Sequence, residues 1–165
     1  MNKTVTLTFK RDELLYDIKN MGFVEGDTKK VESEHERHQV MDVGEDGNVD
    51  RVTRVLDLTF SECVELCYPY SKKAVAEDMA KDDTLTEGDY VMVLTLPDTF
   101  SETTVDLIKN SIHELMVCRA LADWMSITKK EAAADWEKKA EAARTTVWSK
   151  INGRVGRVRR KLNPF

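Results

Sequence analysis

The stretch SETTVDLIKNSIHELMVCRALADWMSITKKE, residues 101–131, decides the fold class. Val105, Ile108, Ile112, Leu115 and Met116 recur at steps that line one face of an α-helix. Ser101 is placed to cap its start, with Phe100 and Val105 set for a hydrophobic staple across the cap. From Leu115 to Met125 the helix is apolar nearly all round, broken chiefly by Arg119 and Asp123, whose i,i+4 spacing suits an ion pair. Such a helix belongs in the middle of a core. Thr128-Lys-Lys-Glu131 reads as a capping box, so a second helix starts after two or three linking residues. The two must pack as an αα-hairpin, with Trp136, Ala140, Ala143, Val147 and Ile151 as the buried stripe of the second. Trp148 lies about 100° off that stripe from Val147 and is expected to complete the core rather than mark a subunit contact.

Working outward, Val49, Val52, Leu56, Phe60, Cys63 and Cys67 hold one helical face for about five turns. The Asp46-Gly47 pair suggests a hairpin turn, but strand alternation fails at Val55-Leu56, Cys63-Val64 and Leu66-Cys67. A helix over about 48–68 is therefore predicted, capped by Asn48 and stopped ahead of Pro69. Tyr90 to Leu96 is a compact apolar run closed by Pro97 and reads as a buried strand. Its natural partner is Thr4 to Phe9, where Thr alternates with Val, Leu and Phe. Between Asp12 and Met21 the apolar residues return to helical spacing, with Gly22 placed for a left-handed cap. Residues 23–47 are crowded with acids and read as a solvated, mobile arm, with a short strand at His38 to Val43. A helical turn is expected around Lys73–Met79.

The expected architecture is α+β, mainly α: a helical bundle with a C-terminal αα-hairpin and a small sheet from strands near 4–9 and 90–96. Residues 1–153 make one compact domain carrying the acidic arm, and 154–165 form a basic tail. At 165 residues, the chain can bury enough surface to fold without disulfide or metal. No run approaches the roughly 18–20 apolar residues of a membrane span, and the first residues alternate polar with apolar, unlike a signal peptide. Cys63, Cys67 and Cys118 all lie in apolar stretches, and an odd count without a pairing pattern points to free buried thiols in a reducing compartment.

Catalytic signatures are absent: there is no Gly-rich phosphate loop, no G-x-S-x-G and no paired Cys-x-x-Cys. His113-Glu114 begins like a zinc-protease motif, but Val117 stands where the second histidine is needed. His35-Glu-Arg-His38 could hold a metal only with ligands from elsewhere, and reads as a solvated segment. No cofactor is implied, and the reading is non-enzymatic.

The net charge of −5 is uneven. Residues 1–141 carry all 30 acids and 18 of the 25 Lys and Arg, a balance of −12, while residues 142–165 carry the other seven cations and no acid. Arg154, Arg157, Arg159, Arg160 and Lys161, ending in Phe165, are the candidate partner-binding residues. They could contact nucleic acid backbone, dock on an acidic protein surface with Phe165 as an apolar anchor, or serve only as a solubilising tail. The acidic body should repel DNA, and Phe165 is the only aromatic in the tail for base stacking, so protein docking is the better of the two active readings.

With its Val49–Tyr68 helix, its apolar helix ending Ala120-Leu-Ala-Asp-Trp124, and its second hairpin helix with a basic extension, the chain resembles the head–tail connector (adaptor) proteins of tailed phages and prophages. It also resembles the small phage-like structural proteins of gut Bacteroidales genomes. The likeness covers roughly 48–68 and 100–165; the two strands and the acidic 23–47 segment depart from the pattern. The resemblance implies a small helical protomer in a ring under the portal, with a C-terminal arm reaching onto a neighbouring protein and an acidic lumen for DNA. Its partners would be further copies of itself and a portal or tail protein, with nucleic acid a less favoured alternative and no membrane. It would be cytoplasmic during assembly and then part of the virion.

Overall fold

A computed structural model describes residues 1–28, 34–78, 82 and 84–153. Among these, the chain runs β1 (Asn2–Phe9), α1 (Arg11–Thr28), α2 (Glu34–Met41), a turn of 3-10 helix at Asp42–Gly44, α3 (Asp46–Leu66), β2 (Tyr90–Pro97), α4 (Glu102–Thr128) and α5 (Lys130–Asn152). The fold is α+β and mainly α, with five helices and one two-stranded antiparallel sheet among the described residues.

α4 is the axis of the core. Ile108, Ile112, Leu115, Met116, Val117, Leu121 and Met125 are fully buried, as the apolar face of 105–116 and the largely apolar run from Leu115 predict. α5 folds back along α4 with Trp136, Ala140, Val147 and Ile151 turned inward. The link is a single residue, Lys129, which leaves the helical region at φ −146° and ψ 78°. Thr128 stays inside α4 and its hydroxyl donates to the Trp124 carbonyl at 3.0 Å, so the expected capping box does not form. Ser101 does stand at the α4 N-cap, but its side chain makes no capping bond.

β1 and β2, some eighty residues apart in sequence, pair in register from Asn2 opposite Pro97 to Phe9 opposite Tyr90. Their inner face, Leu7, Phe9, Tyr90, Met92, Leu94 and Leu96, is buried. A two-stranded sheet is marginal on its own, so this face needs helical cover. Phe60 of α3 supplies part of it, packing edge-on to Phe9 at 6.1 Å between centroids and on Tyr90 at 5.1 Å. The Tyr90 hydroxyl donates to Asp57 of α3 at 2.6 Å, which satisfies the polar tip.

The largest departure from expectation lies in residues 23–47. α1 does not stop at Gly22 but continues to Thr28, and residues 34–44 are helical rather than a solvated arm with a strand at His38 to Val43. The reason is tertiary. Val40 and Val43 are core residues, and the buried Trp124 indole of α4 donates to the Val40 carbonyl at 3.1 Å. A few buried contacts outweigh the acidic composition. Gly22 is a close-approach glycine rather than a cap: it has no positive φ, and an added Cβ would stand 2.6 Å from Val43 Cγ1. Gly22→Ala should therefore lower stability by about 1–2 kcal/mol despite alanine's better helix propensity. Gly47→Ala, in open space in the first turn of α3, should raise it by about 0.4–1 kcal/mol. Chemical denaturation of the two variants checks the opposite signs.

Smaller corrections follow the same logic. α3 begins at Asp46, and Asn48 lies inside it with its amide donating to the Asp42 carbonyl at 2.8 Å. Lys72 to Ala76 are not helical and Glu77 and Asp78 form only a turn, so no helix forms over the described part of the segment expected around Lys73–Met79; Met79 itself lies outside the described residues.

Candidate interaction surfaces

The charges on α4 do not pair with each other. Arg119 binds Glu62 of α3 and Glu137 of α5, and Asp123 binds Arg51 of α3 at 2.8 Å. Arg144 of α5 in turn reaches Glu62 at 2.8 Å and Glu141 at 3.1 Å, and these carboxylates hold its guanidinium above its ordinary pKa. The neighbouring helices offer partners across the packing interface, and these win over the local i,i+4 geometry. The network is partly exposed, so each pair adds little to stability. Its main effect is to neutralise the surface where α3, α4 and α5 meet.

On that surface lies a cavity of about 670 Å³ lined by Val55, Leu58, Ala122, Ala133 and Ala134 beside the Glu62–Arg119–Glu137 cluster. Leu58 is 75% exposed and stands about 200° round α3 from the buried Leu56. Trp148 is 58% exposed, which corrects the expectation that it completes the core. Helical spacing places it on the same face of α5 as Arg144, Glu141 and Glu137. The signal for both was present in the sequence: each is a large apolar residue standing off its helix's buried stripe.

A second surface lies where β1, α1 and α4 meet. A cavity of about 580 Å³ is lined there by Phe9, Asp12, Tyr16, Asp17, Lys109 and His113, among others. His113 Nε2 and Asp17 Oδ2 are 2.6 Å apart, a contact that ties α4 to α1. A carboxylate orienting an imidazole is half of a general-base arrangement. Among the described residues no hydroxyl or thiol is bonded to the ring, so the pair as built acts as a tie.

The three thiols are free and buried, as their apolar surroundings predict. Burial pushes Cys67 up to about 11; burial and the Glu114 carboxylate push Cys118 up to about 12. Cys63 is raised further, by burial and then by Cys67 and Glu62 beside it. They are protonated core residues at neutral pH rather than nucleophiles. His35 and His38 lie on the exposed part of α2, and His35 contacts Gln39 at 3.1 Å. Among the described residues no group of three His, Cys, Asp or Glu is arranged to hold a metal ion. None of the described helices is long and apolar enough to cross a membrane.

The candidate partner-binding residues Arg154, Arg157, Arg159, Arg160, Lys161 and Phe165 lie outside the described residues. What the structure gives is their point of departure, Gly153, directly after the last turn of α5. Comparison with protein-family models, with curated proteins and with solved structures finds no match.

Proposed function

We propose that this chain is a non-enzymatic assembly protein, a head–tail connector component of a tailed phage or prophage. In this reading it associates with copies of itself and docks on a neighbouring portal or tail protein through its basic C-terminal arm. It assembles in the cytoplasm and ends in the virion. The observation that carries the reading is the arm itself, five cations without an acid, issuing from the end of an acidic helical body. Exposed Leu58 and Trp148, beside a surface whose charges are already paired, supply apolar area of the kind that subunit contacts use.

Light scattering after gel filtration tests the reading. The expected mass is a multiple of 18.9 kDa that grows with concentration, with capture of a portal-like protein through the arm. A strict monomer at high concentration that captures no such partner would count against it. The alternative is a nucleic-acid-binding module using the same arm. It predicts DNA affinity that falls steeply with salt, because each phosphate contact releases counterions. An absence of DNA binding at low salt ends that alternative.

A further inference from the structure

Among the described residues the outer edge of β2 is met by backbone at one point, Thr95, and the outer edge of β1 at none. On β2, the Thr95 amide donates outward to the Tyr70 carbonyl at 2.9 Å, so Thr95 turns its backbone groups away from β1. In an antiparallel ladder these directions alternate, and the register sets Thr95, Val93 and Val91 opposite Thr4, Thr6 and Thr8. Those three threonines therefore present their amide and carbonyl groups on the outer edge of β1. Among the described residues nothing meets them. Thr4, Thr6 and Thr8 are also exposed, and no charge, proline or bulge blunts the edge between Lys3 and Lys10. An open edge of this kind is a template for another strand.

Beside this edge runs a groove. A cavity of about 350 Å³ lies between the first half of β1 and the start of α4, floored by Val5, Leu96, Phe100 and Val105. The Asp17–His113 cavity continues it past the second half of β1, and Lys109 lines both. Glu102 and Asp106 stand on the first part, and Asp12, Glu13 and Asp17 on the second, against Lys3 and Lys109. The groove is apolar below, acidic on balance at its rim, and open to main-chain pairing along one wall. That combination suits an extended, basic, partly apolar segment.

We infer that this groove receives the C-terminal arm of a second copy of the chain, residues 154–165, added as a strand to the open edge of β1. The inference rests on the assembly reading above and names the receptor surface that the reading requires. The arm carries five cations against the groove's surplus of carboxylates. In an extended segment Val158, Arg160 and Leu162 fall on one side, the two apolar residues suited to the floor and Arg160 to the carboxylates beside it. Twelve residues span up to about 40 Å, enough to follow the eight of β1. The exit from α5 favours a neighbouring copy over the arm's own body. Gly153 is right-handed, at φ −72° and ψ −10°, and so lacks the left-handed turn that folds a chain back over its helix.

The test uses the full chain. A benzophenone amino acid replaces Val158, and the protein is mixed with an isotope-labelled copy before irradiation. Crosslinks between labelled and unlabelled chains, falling on residues 3–8 or 102–109, are expected. Crosslinks within one chain only, on other surfaces, or none at all overturn the inference. Thr6→Pro removes an outward amide that β2 does not use, and should weaken self-association about tenfold while the helical circular dichroism is kept. Glu102→Lys with Asp106→Lys, which leaves the strand untouched, should weaken it similarly. If the chain self-associates and both variants associate as the parent does, the groove is wrong and the assembly reading stands. If it fails to self-associate at any concentration, both fall.

Discussion

Replacing Trp124 by alanine is expected to cost about 3–5 kcal/mol, a large share of the roughly 5–15 kcal/mol typical of a natural domain. Trp124 sits on α4 where the α1–α2 pair closes over the core, and its ring is buried. Its indole N–H meets the Val40 carbonyl near the end of α2, where the last carbonyls of a helix have no partner within it. Trp124→Phe separates the two contributions. It keeps most of the apolar volume but leaves the carbonyl unmet, at a cost of about 1–3 kcal/mol. Urea denaturation gives both values. A loss below about 1 kcal/mol for Trp124→Ala would mean that α1 and α2 are not held on the core as described.

Alkaline pH should destabilise the protein steeply. The thiols of Cys63, Cys67 and Cys118 have an ordinary pKa of 9.0, which they regain on unfolding, but stay protonated in the native core to about 11 or higher. The Tyr90 hydroxyl is raised as well, by burial and by its bond to Asp57. Above pH 9 the native state thus binds more protons than the unfolded state, so stability is fully present below that pH and falls as pH rises. Each thiol contributes up to about 1.4 kcal/mol per pH unit, and the three together about 4. The urea midpoint should drop sharply between pH 9 and pH 10.5, and Cys63→Ala should flatten the drop. At pH 8 a thiol reagent should label none of the three in the native protein and all of them in denaturant. A flat midpoint over that range would contradict the burial.

What could be read from the residues divides along local and tertiary lines. The α4–α5 hairpin, α3 and both strands are strongly periodic, and their pattern alone places them. Residues 23–47 depart from their local pattern because their helices depend on two valines and on an indole bond from Trp124, more than eighty residues from Val40. No window of local composition carries that information. Gly22 shows the same limit: a glycine after a helical run suggests a cap, and only the position of Val43 shows it to be a close approach. The ion pairs of Arg119 and Asp123 went to other helices for a like reason. Of the candidate surfaces, the arm was legible as charge. Its proposed groove was not, because it is made by β1, α1 and α4 together.

The central claim is that the arm's charge drives assembly. The most direct measurement compares, by light scattering at matched concentration, the full chain with a full-length variant carrying glutamine at positions 154, 157, 159, 160 and 161. The account predicts an oligomer for the former and an 18.9 kDa monomer for the latter, with unchanged circular dichroism. Equal masses for the two proteins would contradict it.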